Sequence, residues 1–185
     1  MRMFGSGQSV WLNRECKGIQ IPEGTPKILE NGSQVYITQI LGGMFTVETE
    51  FGYLVRIDGK DADALGQEIP PERQAIEISS DKTLEDIVWE QLKTCYDPEI
   101  PVNIVELGLI YSCHLLPLGE EGSEVIIQMT LTAPGCGMGE ILKSDIETKL
   151  VDIPGVKLAT IELVFDPAWE SSMMSEAARL QLGMM

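Results

Sequence analysis

The segment Thr132-Ala133-Pro134-Gly135-Cys136-Gly137-Met138-Gly139 gathers a thiol, a hydroxyl and three glycines into eight residues. Strand-forming residues lead into it and helix-forming residues lead out, so Cys136 stands near a helix N-terminus. Free amides and the helix dipole favour an anion there. They stabilise a thiolate and make it a better nucleophile or metal ligand. Gly135 and Gly137 let the backbone bend and approach a ligand closely. The competing reading is a tight turn whose cysteine is simply small.

A second constellation is Asp97-Pro98-Glu99-Ile100-Pro101-Val102-Asn103-Ile104-Val105-Glu106-Leu107-Gly108. Its prolines stiffen the chain and force extended geometry. Asp97 and Glu99, two residues apart, then point the same way. Such a pair can hold a metal or a basic group, or cap local amides as aspartate does in turns. His114, the single histidine, falls in a strand with Ser112 and Leu116 on its own face and Cys113 on the other. Asp166-Pro167-Ala168-Trp169 follows the last strand. Trp169 either docks the C-terminal segment or forms a lip over the Cys136 site.

These residues need elements to carry them. Thr83 and Asp86 form a capping-box pattern. Leu84, Ile87, Val88, Leu92 and Cys95 then share one helical face, which predicts a helix ending near Tyr96, before Pro98. Strands are expected over 109–116 and 125–131, the second with Glu124, Gln128 and Thr130 on its solvent side. Met138, Ile141, Leu142, Ile146 and Leu150 continue as a helix. A third strand runs over 156–165, with a bulge between Leu158 and Ile161. A last helix spans 175–182. The order αββαβα predicts a compact α+β domain over 81–185 with one mixed or antiparallel sheet. Residues 1–70 read as a small, barrel-like β module. Val35-Tyr36-Ile37-Thr38, Phe45-Thr46-Val47-Glu48-Thr49 and Tyr53-Leu54-Val55-Arg56-Ile57 form a meander through Gly42-Gly43 and Phe51-Gly52. Cys16 falls in irregular chain, and residues 71–80 read as a linker.

Composition narrows the function. The formal charge is −16, and −12 of it falls in residues 81–185. Such a surface repels phosphate backbones, so nucleic acid is not an expected partner, whereas cations and basic protein surfaces are tolerated. No apolar run reaches the roughly 18 residues of a membrane span, and Met1-Arg2-Met3-Phe4-Gly5-Ser6-Gly7 lacks a signal-peptide pattern. A cytoplasmic protein away from membranes is expected. Four cysteines with no Cys-x-x-Cys spacing, beside one histidine, fit neither a zinc finger nor a disulfide framework.

The stretches 97–111 and 132–136, with Asp166-Pro167-x-Trp169, resemble the MIP-eighteen-like domain of iron–sulfur assembly factors. Gly42-Gly43 and the run 54–66 are similar to the N-terminal module of SufT-type members. The resemblance implies an auxiliary role in maturing iron–sulfur proteins, without established catalytic turnover. It carries engagement of iron or a labile cluster onto Cys136. Asp97, Glu99, Thr132, Gly135, Gly137 and Trp169 become site-shaping residues. Ala168 departs from a proline common at that position. The implied partners are the assembly machinery and apo client proteins. A cluster takes four ligands, so one thiolate per chain implies a homodimer or a transient complex with a client. The alternatives are a metal-free adaptor linking machinery to clients, and a thiol enzyme with His114 as base.

Overall fold

The computed structural model describes residues 7–97, 100–133 and 137–184. They divide into two compact units, Met1–Ala75 and Ile76–Met185.

The first unit is one six-stranded antiparallel sheet. Its strands are β1 (Gln8–Trp11), β2 (Cys16–Ile21), β3 (Thr25–Leu29), β4 (Gln34–Leu41), β5 (Met44–Thr49) and β6 (Leu54–Asp58), in the order β1-β4-β5-β6-β2-β3. The expected meander is β4-β5-β6. Leu41 and Met44 pair across a two-residue turn in which Gly42 and Gly43 have φ of +58° and +76°. Both values lie in the left-handed region that favours glycine, so the Gly-Gly dipeptide fits this turn. Register places Phe45 against Ile57 and Val47 against Val55, each pair on the buried face. Every strand contributes to one core, from Val10 and Cys16 through Leu29, Val35 and Phe45 to Ile57. β1 and β3 are the edges of the sheet, and no pair joins them among the described residues.

One expectation fails in this unit. Cys16 opens β2 opposite Leu29 and is buried. Its polar neighbours conceal a strand whose apolar alternation is short. The breaker-rich run near residue 70 also takes part in the contacts of this unit. A 3₁₀ turn at Pro71–Arg73 delivers Arg73 to Asp58, with Nε–Oδ1 and Nη2–Oδ2 both 2.7 Å. Asp58 also caps the 3₁₀ segment Gly59–Leu65 by accepting from the Lys60 amide.

The second unit holds α1 (Leu84–Leu92), β7 (Ile110–Pro117), β8 (Ser123–Met129), α2 (Met138–Val151), β9 (Val156–Leu163) and α3 (Glu176–Gln181). The fold class is α+β. The sheet order is β7-β8-β9, antiparallel at the first pair and parallel at the second, hence mixed. The Thr83–Asp86 capping box starts α1. The helix stops at Leu92, earlier than expected, because the chain turns at Lys93 and Thr94. Cys95 lies beyond it but is still buried in the core. The bulge in β9 sits at Lys157, between the pairs Ser123–Val156 and Glu124–Leu158, rather than after Leu158. The shift buries both Val156 and Ala159 and leaves Leu158 exposed. Thr130 also departs from expectation. It lies past the end of β8, is buried, and donates its amide to Leu109 O.

Burial acts to raise the pKa of Asp58, but the Arg73 fork and the Lys60 amide hold it below the ordinary carboxylate value. A depressed carboxylate stabilises the fold above its unfolded pKa, and that contribution is lost as pH falls through the folded value. Asp58→Asn is expected to cost the N-terminal unit about 2–3 kcal/mol at pH 7. Urea unfolding followed at the β4–β6 amides would show the deficit, and the difference from wild type should vanish in acid.

Candidate functional site

A parallel strand–helix–strand unit places its strand C-termini and its helix N-terminus on one edge. In this chain that edge carries the end of β8, residues 130–133 that follow it, the start of α2 and the segment after β9. Val164 continues the edge by donating its amide to Met129 O at 2.8 Å. Of the expected site residues, Cys136, Gly135 and Glu99 lie outside the described residues. Thr132, half-buried, and Gly137, exposed, flank the loop that bears Cys136.

Gly137 is the N-cap of α2 and makes no side-chain cap hydrogen bond. A helix start capped in this way leaves its first-turn amides to a neighbouring acceptor or solvent. Gly137 and Gly139 are among the described residues, and Gly135 is not. Gly137 has φ −60° and ψ −16°, a conformation any residue adopts. Gly139 lets the helix press on Leu131, since a Cβ there would meet Leu131 Cδ1 at 2.6 Å. Its role is packing rather than approach to a ligand.

The carboxylate arm leaves the turn after α1. Asp97 is half-buried and its carbonyl accepts from the Ile100 amide at 3.1 Å. Tyr96 bridges to Asn103, and Asn103 Oδ1 accepts from the amides of Val105 and Glu106 at 3.1 and 3.0 Å. Asn103 thereby shapes the loop, a role that its Asx-turn chemistry would suggest from sequence. Lys149 is the other contributor missed. It is a charged residue on the helix, buried to 2% exposure, and it donates from Nζ to Thr94 O at 2.6 Å. It ties α2 to the turn from which the Asp97 arm departs.

Trp169 is a docking residue. Its Nε1–H donates to Leu107 O at 2.8 Å, and its ring packs against the core of this unit. Around it, Tyr111 donates to Pro167 O, Ser175 donates its amide to Glu106 O, and Gln181 reaches Pro101 O. Gly108, with φ +74°, is met by the Met173 backbone, so no side chain fits there. Thr130 adds a buried hydroxyl with no hydrogen-bond partner among the described residues, two positions before Thr132. Sequence alternation assigned it to solvent and so concealed it.

The remaining thiols are unsuited to ligation. Cys16 and Cys95 are buried, and Cys113 is half-buried on the face opposite His114. Burial, reinforced by Asp61, pushes the Cys16 thiol up to about 11; burial, reinforced by Glu85, does the same for Cys113. Both are protonated at neutral pH. His114 is exposed on the open face of the sheet. Among the described residues, no three His, Cys, Asp or Glu side chains gather to hold a metal ion. None of their helices is long and apolar enough to cross a membrane.

A family model described as iron–sulfur cluster assembly protein matches residues 85–163, all within the second unit. An Fe–S protein maturation auxiliary factor of Porphyromonas gingivalis is 47% identical over 102 residues, which make up 55% of this chain and 92% of that protein. The Bacillus subtilis Fe–S protein maturation auxiliary factor YitW is 33% identical over 103 residues, 56% of this chain and 97% of YitW. The corresponding Staphylococcus aureus factor SufT is 34% identical over 87 residues, 47% and 94% of the two chains.

Iodoacetamide at pH 7.5 is expected to label Cys136 first, with Cys16, Cys95 and Cys113 reacting only on unfolding. Peptide mass mapping against time checks the order.

Proposed function

This chain belongs to the iron–sulfur cluster assembly protein family, and from that premise we propose that it is an auxiliary maturation factor that carries iron or a labile iron–sulfur cluster through Cys136 to client proteins. The observation that carries the reading is the 47% identity to a protein named as such a factor and matched over nearly its whole length. The chemistry of the chain supports it. In sequence Cys136 stands two residues before Met138, the first residue of a 14-residue helix, and a thiolate is favoured over a thiol near such a start. Burial keeps the thiols of Cys16 and Cys113 protonated.

Cluster iron takes about four protein ligands, mostly thiolates. One working thiolate per chain therefore binds its cargo incompletely. A second copy of the chain, or the client itself, supplies the rest. Incomplete ligation suits a carrier, because cargo held this way passes to a client that offers a full set of cysteines. Asp97 and Glu99 shape the approach, Thr132, Gly135 and Gly137 shape the loop, and Trp169 holds the neighbouring segment in place. The protein acts in the cytoplasm, with the assembly machinery and apo clients as partners and without turnover chemistry of its own.

Cys136→Ser tests this in two ways. Loaded wild type is expected to transfer cluster to an apo-ferredoxin, and the variant to transfer none. In cells that depend on this protein, the variant is expected to fail to restore activity of iron–sulfur enzymes. If the variant restores that activity as well as wild type does, the carrier reading fails and a metal-free adaptor between machinery and clients takes its place.

A further inference from the structure

We propose that a groove in the N-terminal unit docks an extended, lysine- or arginine-rich segment of a partner protein through an apolar side chain. The groove is built from residues 27–35, 49–51 and 53.

The groove encloses about 510 Å³ between β3, the turn that follows it, and the β5–β6 turn. Ile28, Phe51 and Tyr53 line it. Phe51 is 83% exposed at the tip of a hairpin. That tip is shaped by Gly52, at φ +79°, and by the Gly52 amide donating to Thr49 O at 2.9 Å. Nothing in the turn requires a phenyl group at 51, and a polar residue would serve the fold better. Ile28 is 54% exposed and Tyr53 46%. Single exposed apolar side chains are ordinary, but three around one concavity mark a contact surface.

The backbone beside the groove is open as well. β3 pairs with β2 alone among the described strands, so one of its edges is unpaired. An edge strand next to apolar side chains is the arrangement that strand addition uses: main-chain hydrogen bonds bind the guest and a pocket selects its side chain. Pro26 removes one donor near the start of β3, which leaves Lys27–Leu29 as the usable edge.

Charge selects the guest. Glu30 and Glu50, both exposed, stand on the groove. The single cation there among the described residues, Lys27, lies over the Tyr53 ring with Nζ 5.3 Å from its centroid. The carboxylates therefore outnumber the cation, and residues 1–80 carry −4 of the chain's −16. A basic segment is attracted. An acidic one is repelled, and so is a second copy of this chain.

The test titrates isotope-labelled full-length protein with the blocked peptide Lys-Val-Lys-Phe-Lys-Val-Lys, and in parallel with its counterpart in which every lysine is glutamate. The basic peptide is expected to shift the amides of residues 27–35 and 49–53 and leave those of the second unit in place. Phe51→Ser, an exposed change that spares the fold, is expected to weaken binding about tenfold. Three results would each overturn the proposal. One is shifts spread over the acidic surface and unchanged in Phe51→Ser. Another is an equal response to the acidic peptide. The last is movement of the same amides on raising the protein concentration alone, which would assign the groove to a second copy.

Discussion

Parallel pairing of β8 with β9 is the constraint on which the second unit depends. Two parallel strands need a crossover, and α2 supplies it. Val125, Ile127 and Met129 of β8 face Ala159, Ile161 and Leu163 of β9 on one side of the sheet. Ile141, Leu142, Ile146 and Leu150 of α2 join them in a single core. Once that core forms, the end of β8 and the start of α2 have to meet at one edge. The chain between them carries Thr132 and Cys136. Where β8 ends and α2 begins thus follows from burial of aliphatic side chains.

A second layer holds the surroundings of that edge. The segment 101–109 has little regular structure, and side-chain and tail contacts fix it. Asn103 folds it locally. Trp169, Tyr111 and the Ser175 amide bind it to the segment after β9. Gly108 allows the tail to sit directly on the backbone. Lys149 fastens the upstream turn to α2. A buried ammonium is costly unless its hydrogen bonds are met, so this lysine favours one arrangement of the turn over others. The acidic arm therefore springs from a fixed point.

Much of this was legible in the residues. The capping box at Thr83 and the spacing of Leu84, Ile87, Val88 and Leu92 announced α1. Gly42-Gly43 announced the hairpin, because two successive left-handed residues suit glycine. The element order αββαβα also follows from alternation and periodicity, which left the sheet either mixed or antiparallel until the parallel β8–β9 pairing decided it. What stayed hidden depended on partners distant in sequence. Cys16 lies among polar residues, and only pairing with Leu29 reveals it as a strand. Thr130 reads as solvent-facing until Leu109 accepts its amide. Lys149 reads as an exposed helix position until Thr94 closes over it. The bulge at Lys157 depends on register with β8, which no pattern within β9 encodes. Around the candidate site, the docking of Trp169 was legible, while residues 134–136 lie outside the described residues. Thr130 and Lys149 were missed, because their character comes from burial rather than residue type.

The central claim is that Cys136 holds the cargo. Anaerobic reconstitution of wild type and Cys136→Ser with iron and sulfide, read by iron content and visible absorption, tests it most directly. Wild type is expected to gain iron and a cluster chromophore, and the variant to gain neither. Equal loading of both proteins, or loading of neither, would contradict the account.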